Sequence, residues 1–316
     1  MGDLKVRWAL HDGIDEPTSR HRGIYVYQAL REMGWDADSW DLNEQADIIV
    51  CQYSFRDLRA ALGHAAVVVA DINDMVFIEG HPTSAGFDEN IRKVNAVVAG
   101  TERLAEFLVQ RHPFVRQIHD VLHPMYRVLP RVPHDGTNVL FVGMNQNARY
   151  FRECDAVLEQ LAHEFEFTVH FVIPASDGGG GDNRKMVASK LYPTEFHEWT
   201  MGTMLNQIAR ADIAWVPLPS NAWTVAKSPN KPLMFMSAGV ATIASDVPVY
   251  QKYMRHGVDS YLCRHPEDWL KYGRMLLGDA RRRVKIAEAG RDAGLLFTPD
   301  KIACQWANLF EEIAPR

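Results

Sequence analysis

DIAWVPL (residues 212–218) and KSPNKPLMFMSAGVATIAS (residues 227–245) hold a strand, a turn, a helix and a second strand. Ile213, Trp215 and Val216 make the first segment β-prone and apolar. Leu233 to Ala238 make an apolar helical run. Gly239 stops that run where a left-handed residue is expected, and VATIAS returns as a strand. Strand, helix and strand in this order form a parallel crossover unit, buried on both faces.

The same alternation runs through the rest of the chain. LKVRWAL, ADIIVCQY, AAVVVADI and NAVVAG read as strands in the N-terminal part, and TNVLFVG and FTVHFVI in the C-terminal part. SRHRGIYVYQALREMGW reads as a loop followed by a helix, with Ser19 as candidate N-cap and Gly34 as stop. TERLAEFLVQRH reads as a helix capped by Thr101, with Leu104, Phe107 and Leu108 on one face. MGTMLNQIARA reads as a helix with Met201, Leu205 and Ile208 on one side. DGGGGDN reads as a turn, and helices run from about Glu267 onward. HPMYRVLPRVPHDG carries Pro124, Pro130 and Pro133 and marks a junction. The division expected is 1–129 and 130–299, with a helix at 300–316 packed back on the first part. The fold class is α/β: two doubly wound parallel sheets, whose ligands bind beyond the strand C-terminal ends, facing each other across a cleft.

The 316 residues suit two domains, and 47% hydrophobic with 23% charged residues is a globular balance. A net charge of −6 argues against a nucleic-acid binder dominated by phosphate contacts. No apolar run reaches the ~20 residues that span a bilayer, and no signal-peptide pattern is read. Four dispersed cysteines, without CxxC spacing, fit reduced thiols and a cytoplasmic location.

Lys227 and Lys231 bracket the Ser-Pro-Asn turn before the helix. Ser228 or Asn230 is the expected cap, and Pro229 or Pro232 occupies the first turn. Lysines usually sit at helix C-termini, so two at the start suit an anion held between them; two solvated lysines beside a turn are an equal reading. Gly143 ends a strand and could admit a phosphate, or simply make a tight turn. Asn145, Asn147 and Arg149 follow as loop polar residues that could reach a ligand, Asn147 better read as solvated. Arg20 and Arg22 could grip an anion or belong to a solvated basic loop with Ser19 and His21. ARRRVK (residues 280–285) could touch an anionic membrane surface, though a solvated helix face is the better reading.

Three stretches together resemble the GT-B glycosyltransferases, and are similar to glycosyltransferase family 4 and its bacterial polysaccharide relatives. The first is ADIAWVPL with SPNKPLMFMSAGVATIASDVPVYQKYMRHGVDSYL; the second is VVVADINDMVF with AVVAGTERLAEFL and HDVLHP; the third is TNVLFVGMNQNARY. The resemblance implies sugar transfer from a nucleotide-diphosphate sugar to a glycan, lipid or small-molecule acceptor hydroxyl, with retention, no cofactor and no catalytic metal. It implies a donor site at Gly143, Asn145, Arg149, Lys227, Ser228, Asn230 and Lys231. Acceptor-side residues would be Arg20, His21, Arg22 and Asp71, and Asp74 and His81 would be the catalytic candidates. Asp71, Asn73 and Asp74 are similar to an acidic turn of the family; ordinary turn and cap roles compete. One of thirteen histidines, His81 also has a structural reading. Two glutamates with seven residues between them are usual in the family; Ala226 and Met234 stand there. A non-catalytic glycosyltransferase-like partner subunit and a nucleotide-sugar epimerase are the alternatives. Donor base, sugar, acceptor and oligomeric state are not specified by the sequence.

Overall fold

Val67, Val68, Val69 and Ala70 of AAVVVADI are all buried, as a central strand with both faces covered requires. A computed structural model describes residues 4–52, 56–81, 84–143, 150–176 and 181–315. The chain divides into two compact units: Met1–His123 with Ala222–Ser228 and Phe297–Arg316, and Pro124–Asn221 with Pro229–Leu296.

The first unit is a six-stranded parallel sheet of β1 (Lys5–Ala9), β2 (Asp36–Ser39), β3 (Ala46–Gln52), β4 (Ala65–Ile72), β5 (Ala96–Ala99) and β6 (Val115–Gln117). Their spatial order is β2-β1-β3-β4-β5-β6. The order reverses beside β1, which pairs β2 on one side and β3 on the other. One face packs Ile49, Val68, Val97, Leu104 and Leu108 in a single core. On the other face, Trp8 meets Trp306 and Phe310 of the helix Pro299–Ile313, ring centroids 5.8 and 5.7 Å apart.

The second unit repeats the plan with β7 (Asn138–Val142), β8 (Thr168–Ile173), β9 (Thr194–Glu198), β10 (Ile213–Val216), β11 (Ala241–Ser245) and β12 (Tyr261–Cys263). The order β12-β11-β10-β7-β8-β9 reverses between β7 and β10. Trp215 of β10 is fully buried and stacks on Trp269 at 5.2 Å. Both sheets are therefore parallel and doubly wound, as the alternation predicts.

Local signals are obeyed where the chain is regular. Thr101 caps the helix Glu102–Leu108 by accepting from the Leu104 N–H. Gly239 (φ 70°) follows the helix Asn230–Ser237; its N–H donates to Met236 O, and Val240 N–H donates to Phe235 O. That is the double closure of a Schellman end. The buried stripe of the helix Met201–Arg210 is Met204 and Ile208 rather than Met201, Leu205 and Ile208, because Met201 and Leu205 are only half-buried. Ser19 precedes the turn Arg20–Ile24 but its side chain makes no capping hydrogen bond there, accepting instead from the Asp12 N–H; Glu16 caps the turn Pro17–Ser19 by accepting from the Ser19 N–H at 2.6 Å. The glycines 178–180 of DGGGGDN lie outside the described residues.

Candidate functional site

The C-terminal edge of the first sheet gathers residues from four strand ends, three of which supply charged side chains. Arg22 comes from the wide, π-type helical turn Arg20–Ile24 after β1, a turn type frequent at functional sites. Asp71, Asn73 and Asp74 end β4, Gly100 and Thr101 follow β5, and Asp120 follows β6. The sequence suggested a basic loop at Ser19–Arg22. It is instead helical and buried, with Arg20, His21 and Arg22 at 2%, 8% and 1% exposure.

Burial is tolerated because each group has partners. The Arg22 guanidinium bonds the Asp71 carboxylate through Nε (3.0 Å) and Nη2 (2.5 Å), and bonds Asp120 Oδ1 and Ile118 O through Nη1, both at 2.9 Å. Burial opposes its charge, yet Asp71 and Asp120 outweigh that and hold Arg22 protonated above its ordinary range. Burial also pushes Asp120 up, but Arg22 and a Ser228 hydrogen bond bring it below the usual carboxylate value. Arg20 Nη1 donates to Ile14 O (2.7 Å) and Asp15 O (3.1 Å). His21 Nδ1 lies 2.9 Å from Val121 O, and burial with the Arg20 charge lowers its pKa to about 4. Arg22 and Asp71 are thus mutually engaged, which the expected anion grip did not anticipate.

Segment 222–228 joins this edge. Lys227 Nζ makes an ion pair with Asp74. The Trp223 ring lies 5.1 Å from that of His81. Thr101 Oγ1 donates to Ala226 O at 3.0 Å. Burial lowers the His81 pKa; Asp74 pulls it up and Lys227 down, and the net direction is down. His81 is thereby neutral at pH 7. Asn73 Nδ2 donates to Thr18 Oγ1 at 2.9 Å.

Close approach fixes one residue here. A Cβ on Gly100 would lie 3.3 Å from both Asn73 Cα and Arg22 Nη1. Neither neighbour can yield: one is backbone and the other is pinned by two carboxylates. Gly100→Ala is therefore expected to cost about 1–3 kcal/mol in urea unfolding. Gly63→Ala, with open space around it, is expected to be neutral or stabilising; equal behaviour of the two variants would refute the packing argument.

In the second unit the helix Asn230–Ser237 starts after β10, beside the reversal point between β7 and β10. No side-chain hydrogen bond caps it: Pro229 is the N-cap. Ser228, an expected cap, instead bonds Asp120, a stronger, ionised acceptor. Lys231 Nζ lies 5.8 Å from the Phe141 ring of β7. The Gly143 N–H donates to Val172 O at 3.1 Å and extends the sheet. Asn145, Asn147 and Arg149 lie outside the described residues. Lys227 and Lys231, expected to flank one anion, thus make contacts in different units. Ala226 and Met234 are buried, at 1% and 7% exposure. Ala226 belongs to the first unit's apolar core, where an unpaired glutamate would be costly. A cavity of 610 Å³ opens near the ends of β11 and β12, but Asp246 pairs with its Arg264 and Asp268 adds a second carboxylate, a poor setting for phosphate.

Asp120 and Trp223 were not singled out as site residues from the sequence. Asp120 follows the unrecognised strand β6, and a strand-end carboxylate is the signal that would have found it.

No family model and no curated protein matches the chain. Solved structures do. Sucrose-phosphate synthase from Thermosynechococcus elongatus is similar over 98% of both chains, with TM-score 0.75 and 12% identity. HepE of Anabaena, in complex with UDP and glucose, is similar over 98% of this chain and 100% of its own, with TM-score 0.72 and 10% identity. TarM matches 83% of this chain at TM-score 0.63 and 13% identity, and this chain spans 54% of TarM. The fold is the GT-B fold of these glycosyltransferases.

Proposed function

We propose that the chain moves a sugar from a nucleoside-diphosphate sugar to an acceptor hydroxyl, with the donor diphosphate at the start of the helix Asn230–Ser237. The observation that carries this reading is the position of that uncapped helix start at the strand-order reversal of the second sheet, with Lys231 in its first turn. Ligands of open parallel sheets bind at such reversals, and a helix start offers N–H groups and partial positive charge to phosphate. The ligand class agrees with the UDP and glucose held by HepE.

As the glycosidic bond breaks, the diphosphate gains negative charge. Lys231 and the helix-start N–H groups, aimed at that charge, stabilise the transition state more than the bound donor. These groups supply the electrostatic role without a metal ion or cofactor. The first unit takes the acceptor side, Arg20, His21, Arg22 and Asp71 shaping the sheet edge. Neutral His81 and Asp74, with Lys227 beside them, are the catalytic groups of this proposal. Retention of configuration is proposed from the family resemblance alone.

A second reading follows from Ala226 and Met234: two buried apolar residues stand where the resembling family carries glutamates, so a non-catalytic partner subunit is the rival. A panel of nucleoside diphosphates tested by thermal shift is expected to raise the melting point with one base preferred. Donor incubated with candidate acceptors is expected to give a glycoside whose anomeric configuration is read by NMR. Conversion of donor alone would favour an epimerase. Binding without turnover, with co-purification of an active enzyme, would favour the partner subunit. No stabilisation by any nucleotide would remove the donor site.

A further inference from the structure

His170 of β8 and Glu195 and His197 of β9 project from one face of the second sheet. His170 pairs in register with Glu195, and His197 lies two residues further along the edge strand. The intervening Phe171 and Phe196 point to the opposite, apolar face. His170 Nδ1 and His197 Nε2 are 3.0 Å apart; Glu195 Oε2 lies 3.4 Å from the first and 3.6 Å from the second.

The tautomer of His170 is fixed from behind. Asn138 Nδ2 donates to Arg210 O at 3.1 Å, which orients the amide and turns Asn138 Oδ1 toward His170 Nε2, also at 3.1 Å. Nε2 therefore carries the proton and Nδ1 presents its lone pair to the cluster. Gln207 Nε2 of the helix Met201–Arg210 lies 3.5 Å from His197 Nδ1; ligation through His197 Nε2 puts the ring proton on Nδ1, so the Gln207 amide must turn its oxygen to that nitrogen when an ion binds. His170 thus has the outer hydrogen-bonding partner that holds a metal ligand in place, and the Gln207 side chain stands within reach of the corresponding nitrogen of His197.

We infer that His170 Nδ1, His197 Nε2 and the Glu195 carboxylate form a binding site for a divalent transition-metal ion of the zinc type. A tetrahedral ion with bonds of about 2.0–2.1 Å separates its ligand atoms by about 3.3 Å, and the three separations here bracket that value. Two imidazoles and one carboxylate suit zinc, cobalt, nickel or copper; magnesium and calcium prefer oxygen ligands. Three protein ligands leave a fourth position for water. The bound ion ties edge strand β9 to β8. The inference uses neither Lys231 nor the Arg22 cluster, so it stands or falls independently of the proposed sugar transfer.

The test uses the full chain stripped of metal by chelator. Cobalt titration is expected to give the visible ligand-field bands of a tetrahedral site at one ion per chain. Zinc titration by calorimetry is expected to give the same stoichiometry, with no response to magnesium. Glu195→Gln and His197→Ala, both at the sheet edge, are expected to weaken zinc binding roughly tenfold or more, with circular dichroism confirming that each folds. Should His197→Ala misfold, Glu195→Gln carries the test alone. Absence of binding to the wild-type chain, or zinc affinity unchanged in a folded variant, would overturn the assignment.

Discussion

Lys231→Ala is expected to weaken binding of a nucleoside diphosphate by about 10- to 100-fold. A charge-assisted hydrogen bond contributes about 1.5–3 kcal/mol, and each 1.4 kcal/mol is about tenfold in affinity. Lys231 stands in the first turn of the helix Asn230–Ser237, where its charge adds to that of the helix start. Lys227→Ala is expected to have the smaller effect on binding, because its ammonium is already paired with Asp74. Calorimetric titration of both variants with UDP separates the two lysines. Wild-type affinity in Lys231→Ala would remove the helix start as the phosphate anchor, whatever the fate of Lys227.

Arg22→Met is expected to destabilise the chain by about 3–5 kcal/mol in equilibrium urea unfolding. The cost comes from what remains: Asp71, fully buried, and Asp120 lose the cation that compensates them. Asp71→Asn is expected to cost less, because Arg22 keeps Asp120. The double variant Arg22→Met/Asp71→Leu is expected to recover part of the single Arg22 loss, since one stranded charge is removed with its partner. Losses below about 1 kcal/mol for Arg22→Met would show that water or a shifted side chain relieves the cluster.

The interior of both sheets was legible because it is apolar on two faces. β1, β3, β4, β5, β7, β8, β10 and β11 each announce themselves as runs of Val, Ile, Leu, Phe, Trp and Ala. The strands that escaped notice are DADS, VRQ, TEFHE and YLC, which are the two margins of each sheet. A marginal strand has one unpaired side and tolerates charge, so its composition resembles a loop. The metal-type cluster went unseen for the same reason, since Glu195 and His197 belong to the polar strand β9.

At the site, Asp71, Asn73 and Asp74 were recognisable because they end a buried strand. The run Arg20-His21-Arg22 was harder to read: it offered an anion grip or a solvated loop equally, and neither reading contained its burial. The partners that permit burial of Arg22 lie 49 and 98 residues away. Lys227 is likewise paired across 153 residues. Local spacing carries no information about such pairs, whereas helix caps and glycine stops depend on neighbours a few positions away and were mostly readable.

Residues 297–316 and 222–228 belong to the unit that begins at the N-terminus. During synthesis, therefore, the part started first is completed last. Trp8 waits for Trp306 and Phe310, while the second unit has all its strands before those residues leave the ribosome. A fragment ending near His123 would expose the bare side of its sheet and bind chaperones or aggregate, so separate expression of the halves requires stitching the late helix back onto the early strands.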